Sequence, residues 1–309
     1  MTAPDYQLVI IGGGPAGLTA GLYAARARLH VLLLEKGAAG GQVMNTDWVD
    51  NYPGFPEGIS GFELAEKMAA QAARFELATR LGEVRSMDLA GPVKKILLDS
   101  GDVITSKAVI IATGARPNQL GIPGEKELTG KGVSYCATCD GPFYRGLTIA
   151  VVGGGNTAIQ EAIHLTKFAE RVFVIHRREE LRATRIVQEK AFANAKIEFI
   201  WNTVVTAVLG NKEVDGLTLR NVQSGEQSTL AVKGVFVLIG TRPNNEMLPA
   251  DQLRMEDGFI VTDGEMCTNL AGVMAAGDIR SKKVRQIINA AGEGAVACLA
   301  AEEYLNSLT

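Results

Sequence analysis

Residues 134–143, SYCATCDGPF, set two cysteines three positions apart with an aspartate directly after the second, in a 309-residue chain that holds four cysteines in all. Such a pair serves as a metal clip, a structural staple or a dithiol that is oxidised and reduced in turnover. A structural zinc site needs four ligands, usually a second close pair or two closely spaced histidines. The remaining candidates, Cys267, Cys298, His30, His164 and His176, are all isolated, so zinc is the weaker reading. A Cys-x-x-Cys pair instead closes a small ring that opens and shuts readily once one thiolate is stabilised. Asp140 suits that chemistry, because reducing a disulfide to two thiols consumes protons that a hydride alone does not fully supply. The competing reading is structural: Asp140 holds the Cys-Asp-Gly turn.

A redox pair needs a source of electrons and a frame. The segment YQLVIIGGGPAGLTAGLYAARARLHVLLLEKG reads as a strand, a glycine turn, a helix of small and apolar residues, and a second strand ending at Glu35. LTIAVVGGGNTAIQEAIHLTKFAERVFVIHRRE repeats the plan. Each βαβ unit is followed much later by a matching strand and turn, VIIATGARPN at 109–118 and VFVLIGTRPN at 235–244. This internal repeat predicts two related nucleotide-binding domains, with the chain crossing between them in the two Gly-x-Arg-Pro-Asn turns. From about residue 246 onward, GVMAAGD reads as a strand and QIINAAGEGAVACLAAEEYL as a helix, with no glycine fingerprint of their own. The expected fold is therefore α/β, two Rossmann-like three-layer domains, one (117–243) inserted in the other (1–116 and 244–309).

Gly12-x-Gly14-x-x-Gly17 lies between strand and helix, the context that gives the pattern meaning. The first glycine allows a tight turn, the second lets a pyrophosphate approach, and the third lets helix and strand pack closely. Gly153-x-Gly155-x-x-Ala158 is the alanine-tolerant form of the same fingerprint. Glu35 stands 23 positions after Gly12 (35 − 12), and His176 stands 23 after Gly153 (176 − 153). A carboxylate at that offset accepts hydrogen bonds from ribose hydroxyls and repels a 2′-phosphate, whereas arginines favour one. The first site is thus expected to take FAD or NAD, and the second, with His176, Arg177 and Arg178, NADP(H).

Composition narrows the remaining classes. A 47% hydrophobic share, 21% charged residues and 35 glycines suit a turn-rich α/β protein, and a net charge of −3 argues against nucleic acid or an anionic membrane as the main partner. No apolar run approaches the roughly 20 residues that span a bilayer. The N-terminus lacks the cationic start of a secretory signal, so the expected compartment is the cytoplasm, where a close cysteine pair is more often metal-binding or catalytic than structural.

Taken together, GGGPAG, GGQ, NYPG, CATCDG, GGGNTA, HRRxxxRA and GDIR…RQ…AAGEG resemble, in order and spacing, the low-molecular-weight bacterial thioredoxin reductases of the flavin disulfide reductase superfamily. The likeness spans essentially the whole chain, and CATCDG with HRRxxxRA is its specific part. It implies FAD on the first domain at Gly12, Gly14, Pro15, Ala16, Gly17, Glu35 and Lys36. Gly40, Gly41, Gln42, Asn51, Val84, Ala112, Thr113, Gly114, Gly277, Asp278, Arg285, Gln286 and Ile287 would complete that site. It implies NADPH at Gly153, Gly155, Asn156, Thr157, His176, Arg177, Arg178 and Arg182. By the same resemblance Cys139 receives electrons from FAD, Cys136 forms the mixed disulfide with thioredoxin, Asp140 supplies a proton, and the protein is a homodimer whose domains alternate between two orientations. Pro142 stands where the family has an aromatic residue, and Cys267 and Cys298 are additional. Cys298, in an alanine-rich helix, reads as core packing. The competing functions are reduction of another disulfide protein of peroxiredoxin or glutaredoxin type, a dithiol oxidase passing electrons to oxygen, and a zinc-bearing or nucleotide-sensing binding protein.

Overall fold

The structure, a computed structural model, describes residues 3–46 and 48–308. The chain forms two compact bodies, Met1–Arg116 with Arg242–Thr309, and Pro117–Thr241. The crossings lie inside the two Gly-x-Arg-Pro-Asn segments, the second two residues earlier than the sequence reading placed it.

In the first body, parallel strands Ala78–Leu81, Val31–Glu35, Tyr6–Ile11 and Val103–Ile111 lie side by side in that order. The long strand Val103–Ile111 does two jobs. Its first half pairs antiparallel with Lys94–Leu98, itself paired with Val84–Asp88, and its second half pairs in parallel with Val273–Ala275. Side chains alternate between two buried faces. Leu8, Ile10, Leu33 and Ile110 meet the helices Pro15–Arg26 and Ile287–Asn306, while Val9, Ile11, Leu34 and Ile111 meet Met87, Leu98 and Ile279. Burial on both faces is why these strands read as continuous apolar runs. The two helices approach so closely that a Cβ on Gly294 would overlap the Ala16 carbonyl.

The second body repeats the plan with a cleaner division. Its parallel sheet runs Ile197–Ile200, Arg171–Ile175, Thr148–Val152, Gly234–Val237, Val133–Ser134. Ile149, Val151, Val172, Val174 and Phe236 face the helices Asn156–Leu165 and Arg185–Phe192. Ala150, Val152, Ile175 and Val235 face an antiparallel sheet of Thr203–Leu209, Gly216–Asn221 and Gln227–Leu230 through Val205, Leu217 and Leu219. Helix, parallel sheet and antiparallel sheet make three layers. No helix among the described residues is long and apolar enough to cross a membrane.

Candidate functional site

Both glycine turns have the geometry their spacing predicts. Gly12 takes φ +106°, where only glycine is unstrained, and a Cβ there would press on the Ala112 carbonyl. A Cβ at Gly17 would overlap the Gly12 carbonyl, whereas one at Gly14 would meet only Gly41 Cα, at 4.0 Å. In the second turn Gly153 is closed by Leu238 and Ala158, and Gly155 has nothing within 4 Å. The open position is the middle glycine of each fingerprint, where the backbone must admit a phosphate. Gly14 and Gly155 are also the N-caps of their helices and supply no side-chain cap, so the first-turn N–H groups keep their positive end for an anion. Pro15 at the first helical position forfeits no bond there.

Glu35 closes the first turn from below. Its Oε2 accepts the Gly13 N–H at 2.6 Å and its Oε1 the Gly37 N–H at 2.9 Å. Gly40 N–H donates to the Gly13 carbonyl at 2.7 Å and brings Gly41 beside Gly14, with Gln42 exposed next to it. Lys36 pairs with Glu83 on the surface. Ala112, Thr113 and Gly114 follow the central strand, where Thr113 Oγ1 donates to the Asn244 carbonyl at 2.8 Å and Val84 is buried in the neighbouring strand pair.

The far end of the expected FAD site is a cluster that sequence reasoning named only in part. Asn51 Nδ2 donates to Gln286 Oε1 at 3.1 Å, and Gln286 occupies the N-cap position of the helix that begins at Ile287 without a side-chain bond to it. Gly277, at φ +79°, donates its N–H to Glu293 Oε2 at 2.8 Å. Glu293 in turn pairs with Arg280 at 2.9 Å and Lys282 at 3.2 Å, and Lys282 lies 3.2 Å from Asp278 Oδ1. Burial pushes the Asp278 carboxyl up, opposed by the charges of Lys282 and Arg285 and assisted by Glu293. Arg285 lies over the Phe259 ring at 4.5 Å. Arg285 Nε is buried without a hydrogen-bond partner, and Asp278 Oδ1 is buried with the Lys282 ammonium at 3.2 Å beside it, so a donor and a carboxylate face a setting that otherwise satisfies its polar groups. With the open Gly14 and the uncapped helix, this donor set fits a dinucleotide. Arg280 lies in GDIR and Glu293 in AAGEG, although sequence reasoning assigned neither a role, and Lys282 between the two segments carries no motif of its own.

In the second body the four predicted cationic positions divide. His176 is 6% exposed, and a Cβ on Gly154 would overlap its ring. Its Nε2 lies 3.1 Å from the Glu180 carbonyl, and its pKa is lowered by burial first and by Arg182, Arg177 and Arg178 after it, against the Glu180 bond. Arg177, Arg178 and Arg182 have exposed side chains. The Arg182 N–H donates to the Gly154 carbonyl at 2.8 Å, and Asn156 Oδ1 accepts the Thr184 N–H at 2.8 Å, so the arginine loop is tied back to the glycine turn. Thr157 is exposed in the first turn of the helix.

The cysteine pair also belongs to the second body. Cys136 and Cys139 form a disulfide directly after the edge strand Val133–Ser134, with Cys139 in the one-turn helix Ala137–Asp140. The Cys139 N–H donates to Cys136 Sγ at 3.2 Å. The Asp140 N–H donates to the Cys136 carbonyl at 3.1 Å, and the Ser134 hydroxyl donates to Asp140 Oδ2 at 2.6 Å. Burial, and then the Asp140 charge, push the Tyr144 phenol up to about 12, so it stays neutral. Tyr135 is pushed to about 12 by burial and by Glu125, whose carboxylate accepts its hydroxyl at 3.0 Å. Pro142 and Phe143 are exposed just beyond the helix. Neither additional cysteine adjoins the pair in sequence. Cys298 is buried in the first body's core with its thiol pushed to about 12, mainly by burial, and the half-buried Cys267 is raised for the same reason.

One chain with two dinucleotide turns and a Cys-x-x-Cys disulfide defines a nucleotide-dependent disulfide oxidoreductase. Residues 6–294 match the pyridine nucleotide-disulphide oxidoreductase family, and the chain belongs to it. It is 43% identical over 304 residues to thioredoxin reductase of Listeria innocua, covering 98% of this chain and 95% of that protein. It is 47% identical over 302 residues to the bifunctional thioredoxin reductase/thioredoxin of Mycobacterium leprae, covering 97% of this chain and 66% of that longer protein. The crystal structure of thioredoxin reductase from Streptococcus pyogenes superposes with a TM-score of 0.94 at 45% identity, covering 98% of each chain. The chain is an oxidoreductase of the thioredoxin reductase type, and FAD and NADPH are its cofactors.

Proposed function

We propose that this chain reduces thioredoxin at the Cys136–Cys139 disulfide, with the first glycine turn holding FAD and the second NADPH. The observation that carries this reading is the disulfide itself, held beside a carboxyl in the body that bears the basic dinucleotide turn. Gly12, Gly14, Gly17 and Glu35 cradle the FAD pyrophosphate and ribose, with Gly41, Gln42, Asn51, Asp278, Arg285 and Gln286 lining the remainder. Gly155, Asn156 and Thr157 receive the NADPH pyrophosphate, Arg177, Arg178 and Arg182 its 2′-phosphate, and His176 supports the turn from beneath. FAD, when bound, relays the two electrons of the NADPH hydride to the disulfide.

The Cys136–Cys139 bond breaks as those two electrons arrive on its sulfurs. Two protons are needed to give two thiols; the hydride accounts for one, and Asp140 donates the other. The Cys136 thiol gives up its proton as it attacks one sulfur of the thioredoxin disulfide, forming a mixed disulfide and expelling one thioredoxin thiolate, which takes up a proton. Cys139 attacks Cys136 Sγ and gives up its own proton, which re-forms the Cys136–Cys139 bond and releases the second thioredoxin sulfur as a thiol carrying that proton's equivalent. The relative that joins reductase and thioredoxin in a single chain supports thioredoxin as the partner. A homodimer working in the cytoplasm completes the reading.

The test is an anaerobic visible spectrum titrated with NADPH and then with oxidised thioredoxin, for wild type and Cys139→Ser. The flavin should bleach in both and recover only in the wild type. Bleaching without recovery in the wild type would turn the search to other disulfide proteins, and recovery in the variant would remove Cys139 from the path.

A further inference from the structure

We propose that Ser134 is a positioning residue that holds Asp140 in place in both of the carboxyl's protonation states. The proposal rests on Asp140 being the proton donor of the reaction above. The main-chain bond from Asp140 N–H to the Cys136 carbonyl fixes the backbone of the turn but does not by itself orient the carboxyl group. Ser134 bonds to the carboxyl directly. Its side chain is 3% exposed, on an edge strand that pairs with Phe236, and its Oγ lies 2.6 Å from Asp140 Oδ2.

The same oxygen has two further neighbours. It accepts the Cys136 N–H at 3.1 Å, and it lies 3.3 Å from the Cys136 carbonyl oxygen. A hydroxyl offers one donor hydrogen and two acceptor lone pairs. With Asp140 ionised, the hydroxyl hydrogen points to Oδ2 and one lone pair takes the Cys136 N–H. With Asp140 protonated, the carboxyl O–H donates to the second lone pair and the hydroxyl hydrogen turns to the Cys136 carbonyl. The carboxyl can therefore lose and regain its proton without moving away from the pair.

The test is a double-mutant cycle on the FAD-loaded enzyme, comparing Ser134→Ala, Asp140→Asn and both together in NADPH-driven thioredoxin reduction. Ser134→Ala should lower kcat about tenfold while KM for NADPH and thioredoxin stays within about twofold. Asp140→Asn should lower kcat about 100-fold, and adding Ser134→Ala to it should cost nothing more. Ser134→Thr, which keeps the hydroxyl, should stay within about threefold of wild type. An equal loss from Ser134→Ala in both backgrounds makes the serine a structural residue only and overturns the inference. If Asp140→Asn slows turnover and Ser134→Ala does not, the serine inference alone falls. If Asp140→Asn leaves kcat unchanged, the donor reading falls and the inference with it.

Discussion

The turn at Gly12–Gly17 and the turn at Gly153–Ala158 start from one plan and are finished in different ways. In each, the residue 23 positions past the first glycine (35 − 12 and 176 − 153) reaches back beneath the middle of the turn. In the first body that residue is Glu35, and its carboxylate takes two backbone N–H groups directly. In the second body it is His176, a buried ring packed under Gly154 and facing Trp201 edge-on at 6.4 Å. The charge that would select the cofactor is carried one step farther along the chain, by exposed arginines. Equal offset thus marks an equal place in the fold. What the residue there does depends on whether its side chain bonds to the turn or merely fills the space below it.

The sharpest way to break this comparison is to move a residue from one turn to the other. Gly17→Ala installs what Ala158 already provides in the second body, but here the added methyl meets the Gly12 carbonyl. A loss of about 3 kcal/mol is expected, with most of the 450 nm flavin absorbance lost per chain at about that cost. The reverse change, Ala158→Gly, should cost only about 1 kcal/mol through helix propensity and a small buried methyl. If both variants melt like the wild type and keep their flavin, the two turns are not packed as differently as their geometry indicates.

A second experiment tests where the charge resides. Arg177→Ala with Arg178→Ala should raise KM for NADPH by at least about 100-fold and leave KM for NADH nearly unchanged, since each arginine contributes a charge-assisted bond of about 1.5–3 kcal/mol to a phosphate that NADH lacks. A parallel rise for both nucleotides would return these arginines to a general structural role.

The smallest effect concerns His176. Its pKa in the folded chain is depressed from 6.5, so the unfolded chain binds the proton more readily. Its contribution is fully present above about pH 6.5 and declines as pH falls from there through the folded value. Thermal melting between pH 7.5 and 5.5 should therefore drop by a few degrees less in His176→Gln than in the wild type. An identical drop in both would show that other groups carry the acid sensitivity.

Much of this was legible from the chain. Strand, glycine turn and helix follow one another within about 30 residues, and local periodicity reads such units well. The redox pair and its aspartate lie in five consecutive residues. The antiparallel strands of both bodies were not legible as separate elements, because their pattern is irregular: Gln227–Leu230 is largely exposed, and Thr203–Leu209 carries a register shift between Val205 and Ala207. The two halves of strand Val103–Ile111 serve opposite partners, which no property of that strand alone reveals.

By itself, then, the sequence determined the order of the two βαβ units, the place of the nucleotide turns and the redox pair, because each rests on contacts between near neighbours in the chain. Tertiary structure decided how the side chains at those places are used. Glu35 reaches Gly13 across 22 positions, Glu293 reaches Gly277 across 16, and Asn51 reaches Gln286 across 235. His176 faces inward because the register of Arg171–Ile175 with its neighbours puts its ring beneath the turn. Such contacts depend on how elements far apart in the chain are brought together, and a one-residue slip of Val31–Glu35 or Arg171–Ile175 would send Glu35 or His176 to the opposite face.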